Sequence, residues 1–189
     1  NQQFNLSRSG LMLNLFWAEN GRYYLLSFVL PIVVMLLLML PIVGPQSSLL
    51  LYGLHVFAFL GGVSLGGCLF TNTAFVAYSS SERGIASIMV TASRLEKFAP
   101  ILFISLLGSG LVFVIGLQMH YGIVALANEG LAAGNHLKPM PPEVLRFFGH
   151  VYFILQGAIF LGSLYFTRNS LIKTLGTVLV ITIVAFVFN

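Results

Sequence analysis

Aspartate is absent from this sequence, cysteine and tryptophan each occur once, and charged residues of both signs make up 7% of its 189 positions. With no aspartate and no glycine-rich P-loop pattern, the chain lacks the usual means of holding a nucleotide's phosphates and magnesium, so it is not read as a nucleotide hydrolase. Lone Cys68 has no disulfide partner and says nothing about compartment. All five acids are glutamates, and all lie outside the apolar runs, which argues against proton-coupled transport through buried carboxylates. The serines at 79–81 and Ser93 have no His/Asp constellation near them in sequence and read as caps and turn residues, so no enzyme activity and no catalytic residue are expected. Soluble domains carry about a quarter charged residues; a chain that is 58% hydrophobic with mean hydropathy +0.95 is an integral membrane protein.

Five stretches are long enough to cross a hydrocarbon core of roughly 30 Å: 23–43, 49–70, 99–119, 147–166 and 171–188. They are apolar all round rather than alternating, which excludes a closed barrel and predicts helices. The expected fold is therefore all-α, a single transmembrane domain over 1–189 built as a polytopic helical bundle with five spans. Residues 1–22 mix Leu11, Leu13, Leu15, Phe16 and Trp17 with Arg8, Asn14 and Glu19, the makeup of an interfacial amphipathic helix. Pro31 is expected to kink the first span. The segment 71–98 is expected to be a cytoplasmic loop and 120–146 an external cap. With the N-terminus inside, Arg8, Arg22, Arg83, Arg94, Lys97, Arg168 and Lys173 are cytoplasmic and only Lys138 and Arg146 are outside, as the positive-inside rule requires. The net charge of +4 is thus read as topology, and no nucleic-acid partner is expected. The first apolar run is full length and has no small-residue cleavage site after it, so no cleavable signal peptide is read. A sixth apolar segment is expected beyond Asn189.

The longest polar interruption, 79–98, reads SSSERGIASIMVTASRLEKF. Ser93 and Glu96 have the spacing of a capping box, predicting a helix start near Ser93 that runs on into the third span. Ser79 and Glu82 repeat the spacing, predicting a short helix over 82–90 with Ile85, Ile88 and Met89 on one face.

The piece VTASRLEKF at 90–98, preceded by Arg83, resembles the "LPAS-x-x-EKF" loop of permease-like membrane proteins from Bacteroidetes that are related to the type-two ATP-binding-cassette exporter permeases. Val90 and Thr91 stand where that pattern has Leu-Pro. A second match, LQGAIFLGSLYF at 155–166 followed by Arg168, Asn169, Ile172, Lys173 and Thr174, resembles the end of the same family's fourth span and its turn into the fifth. The resemblance implies a non-catalytic permease subunit in the bacterial inner membrane, an ATP-binding-cassette ATPase as partner, and a second permease copy or homologue beside it. It makes residues 1–22 an elbow helix and 79–98 the ATPase-docking segment, with Glu82, Arg83, Arg94, Glu96 and Lys97 positioning the partner and Ile85, Ile88 and Met89 filling its groove. No cofactor or metal is implied.

Two further sets of residues carry chemistry. Gly62 and Gly66 have the small-xxx-small spacing that lets a neighbouring helix approach closely. His55, His120, His136 and His150 all fall toward one side of the membrane; His55 and His150, on different spans, are the pair a haem would need. The alternative reading is therefore a haem- or quinone-binding anchor of a respiratory complex, or else an accessory scaffold subunit.

Overall fold

In hydrocarbon a backbone N–H or C=O has no water to turn to, so apolar chain becomes helix. The computed structural model describes residues 6–44, 49–79, 94–131, 136–166 and 169–188, with no strand among them. Helix α1 covers Leu6–Met39 and tightens into a 3₁₀ turn at Leu40–Val43; α2 covers Leu49–Ser79, α3 Arg94–Glu129, α4 Pro142–Tyr165 and α5 Ser170–Val187. The first four are long and apolar enough to cross a membrane, and α5 is a shorter apolar helix.

Packing runs through α2, which lies against α1, α3, α4 and α5. One end of the bundle, called here the near end, holds Tyr24, Phe70, Phe75, Phe98 and Phe160. The far end holds Met39, Phe59, Met140, Leu145 and Phe148. The outside is apolar, with Leu37 62% and Ile154 73% exposed, while His55 and His120 are 0% exposed. This arrangement, inside-out relative to a soluble protein, places the polar groups where other helices can satisfy them.

Several boundaries lie elsewhere than hydropathy places them. Residues 71–79 are helical rather than loop, and Thr71, Ala74 and Phe75 are buried. The polar run Thr71–Thr73 does not end the helix because Thr73 Oγ1 donates to the Leu69 carbonyl at 2.8 Å, and Thr71 finds partners on other helices. α3 likewise continues past Met119 to Glu129, so the external segment begins later than 120. α1 has no break between the expected interfacial segment and the span, and it runs through Pro31 as one helix. The proline ring is accommodated opposite Gly66, where an added Cβ would lie 3.0 Å from Pro31 Cβ. One turn earlier on α2, a Cβ on Gly62 would lie 2.9 Å from Met35 Cγ.

α4 comes close to α2 at Gly67, where any Cβ would collide with the Tyr152 hydroxyl and the Gln156 amide. Lipid tails are as apolar as leucine, so such contacts, rather than a hydrophobic drive, hold helices together. Gly67→Ala should therefore destabilise the bundle by about 1–3 kcal/mol through overpacking. Gly61→Ala, with nothing within 4 Å of its Cβ, should stay within about 0.5 kcal/mol of wild type. Unfolding in mixed micelles compares the two, and equal midpoints would refute the close-approach argument.

Candidate functional site

The far end is closed by a run of extended chain, 136–141, clamped to the bundle at successive residues. Asn128 grips Leu137 twice: its Nδ2 donates to the Leu137 carbonyl at 2.9 Å, and its Oδ1 accepts from the Leu137 N–H at 2.7 Å. Tyr52 donates its hydroxyl to the Lys138 carbonyl at 2.7 Å. The Met140 N–H donates to His120 Nε2 at 3.1 Å.

That last bond fixes the protonation of two buried rings. A backbone N–H can only donate, so His120 Nε2 must carry the lone pair and a neutral His120 carries its proton on Nδ1. His120 Nδ1 is 3.0 Å from His55 Nε2 and donates to it. His55 is then protonated on Nδ1, which faces the Met39 carbonyl at 3.4 Å, where α1 gives way to its 3₁₀ turn. The result is a directed chain from strap to α3 to α2 to α1, with both imidazoles neutral. Tyr52 stacks on His55 at 6.2 Å and Phe59 on His120 at 4.9 Å between ring centroids, filling the space around the rings. No carboxylate is hydrogen-bonded to either ring among the described residues.

Two more polar joints follow along α2 toward the near end. Gln156 of α4 is satisfied with its amide nitrogen toward the Gly67 carbonyl (3.0 Å) and Thr71 Oγ1 (2.7 Å) and its oxygen toward the Cys68 N–H (3.3 Å). Ser105 of α3 donates to Thr71 at 3.2 Å, and Tyr152 donates to the Ser109 carbonyl at 2.6 Å. Below this, Asn72 Oδ1 accepts from Ser163 at 3.3 Å and Ser170 at 2.6 Å, tying the α4–α5 turn to α2. Asn169 enters that turn in the left-handed conformation at φ 55°, which asparagine tolerates better than most residues. Gly162 leaves room for Thr174, since a Cβ there would collide with the threonine.

Of the residues singled out from sequence, Glu82, Arg83, Ile85, Ile88 and Met89 lie outside the described residues, as does the Ser93 arm of the capping box. Helix α3 is in place from Arg94; the side chains of Arg94, Glu96 and Lys97 are not among those described. Gly62 and Gly66 face α1 as given above. His55 is brought together with His120 rather than with His150, which is exposed and hydrogen-bonded through Nδ1 to the Arg146 carbonyl at 2.7 Å on its own helix. Asn128, Gln156 and Asn72 were missed as site residues, and His120 was named among the four histidines on one side but not as the partner of His55. The available signal was their polarity within or beside apolar runs, where such groups pair across helices.

Comparison with known proteins adds no relative. No family model, no curated protein and no solved structure matches this chain.

His120→Phe should preserve the ring packing but leave the buried Met140 N–H unpaired, costing about 1–3 kcal/mol. Hydrogen exchange at Met140 should then rise by one to two orders of magnitude. Met140 protection that is equal in the two proteins would show that the clamp is not what holds the strap.

Because each His55 nitrogen already faces a protein atom, purified protein should show no Soret band that depends on His55 or His150. A band abolished by His55→Ala would restore the haem-anchor reading.

Proposed function

We propose that this chain is a membrane-spanning permease subunit of an ATP-binding-cassette transport complex, coupled to a separate ATPase through 79–98, in the bacterial cytoplasmic membrane beside a second permease copy or homologue. The observation that carries this reading is where the second resembling segment falls. Gln156, Gly162, Ser163, Asn169 and Thr174 belong to that segment: Gln156 and Ser163 fasten α4 to α2, Gly162 and Thr174 pack α4 on α5, and Asn169 makes the turn between them. The resemblance therefore rests on residues that set helix packing rather than on hydropathy alone.

Connectivity supports the same reading. The 80–93 segment follows the last turn of α2, the helix packed against all the others, and leads into α3. A push delivered there would enter the bundle through its central element. Arg22 and Lys173 belong to the near end, whereas Lys138 and Arg146 sit at the far end, so the near end is taken as cytoplasmic. α5, at 18 residues, is about 27 Å long and is counted as the fifth span.

The test is copurification of a tagged chain from native membranes, with mass spectrometry of what accompanies it. An ATPase of the ATP-binding-cassette type is expected with wild type. Ile88→Asp puts a charge into the apolar contact and should reduce the copurifying ATPase at least about tenfold, while membrane insertion is unchanged. Recovery of a dehydrogenase instead, or an undiminished ATPase yield with coupled turnover in Ile88→Asp, would overturn this assignment.

A further inference from the structure

We propose that the groove between α3 and α4 at the far end binds one acyl chain of an anionic phospholipid, with Arg146 receiving its phosphate and His150 a headgroup hydroxyl. The groove has a volume of about 540 Å³. Aromatic rings line it: Phe113 of α3 meets Phe153 of α4 at 6.1 Å between ring centroids. Leu117 lines it from α3 and Gly149 from α4, where the missing side chain leaves Phe113 3.6 Å from the Cβ position. Phe153 is 52% exposed, so the groove opens sideways, toward the bilayer.

The polar side chains of this groove both come from α4, on the Pro142 side of Phe153 and Ile154. Arg146 and His150 are four residues apart on α4, both exposed and both lining it, and positions four apart share a helix face. Arg146 lies just inside the start of the span, where a cation reaches the headgroup layer while its stem covers apolar surface. Its planar fork suits a phosphate bidentately. The His150 Nδ1–H is used by the Arg146 carbonyl, which leaves Nε2 as an acceptor for a headgroup hydroxyl rather than for the phosphate. Glu143, in the first turn of the same helix, is not part of the lining. From Arg146 to Phe153 the groove follows α4 for roughly 10 Å, the direction a tail takes from headgroup to bilayer interior. A second apolar groove of about 370 Å³, between α1 and α3, has no charged side chain in its lining and so offers a headgroup nothing to recognise.

The experiment uses the full chain carrying Trp17→Phe and Phe153→Trp, so that its single tryptophan reports on the groove, with quenching by lipids brominated in the tail. Brominated phosphatidylglycerol should quench with a midpoint at least about tenfold lower than brominated phosphatidylcholine, whose phosphate carries a choline cation that Arg146 repels. Arg146→Gln should abolish the difference, and Gly149→Leu, which fills the groove, should weaken quenching by both lipids. Equal midpoints for the two lipids, or a preference untouched by Arg146→Gln, would overturn the proposal. Displacement of phosphatidylglycerol by a similar concentration of inorganic phosphate would overturn its acyl-chain part. Should Gly149→Leu fail to fold, the Arg146→Gln comparison alone decides.

Discussion

A donor that can only donate, placed where no water can reach it, determines much of the far end of this protein. The Met140 N–H requires an acceptor; His120 supplies one, and in doing so is left with a proton that His55 must accept. The demand passes on to the end of α1. Each link is a modest interaction, about 0.5–1.5 kcal/mol for a neutral hydrogen bond, but the cost of leaving any link unmade in apolar surroundings is larger. The strap, α3, α2 and α1 therefore share one arrangement of protons, and none of them can shift alone without orphaning a buried group.

α2 can serve as the common partner because of where it is small and where it is polar. Glycine at 62, 66 and 67 lets Met35, Pro31 and the Tyr152–Gln156 edge come close, and His55, Thr71 and Asn72 meet polar groups from the helices brought in that way. Close approach and polar pairing thus reinforce each other. Membrane helix associations draw on van der Waals fit together with interhelical hydrogen bonds that average about 0.6 kcal/mol.

Hydropathy was enough to place the helices. Runs such as 23–43 have no alternative in lipid, and the spacing of Gly62 and Gly66 announced a close contact. Their ends were less legible, because Thr71–Thr73 reads as an exit from the membrane until Thr73 is seen bonding back to Leu69 and Thr71 across to Gln156. Partner identity was least legible. His55 pairs with His120 rather than His150 because of the rotation of α2 and α3 about their axes, and helices that are apolar all round carry almost no rotational signal. Asn128 gripping Leu137 depends on a chain reversal whose path hydropathy does not encode.

The long helices also bear on the surrounding bilayer. α1 and α3 contain 34 and 36 residues, about 51 and 54 Å of helix, against a hydrocarbon layer roughly 30 Å thick. Helices of that length either tilt or carry their end turns out into the headgroup layer. Because α1 and α3 pack against each other and both against α2, a tilt adopted by one is imposed on the other, and the bundle leans in the bilayer as a unit.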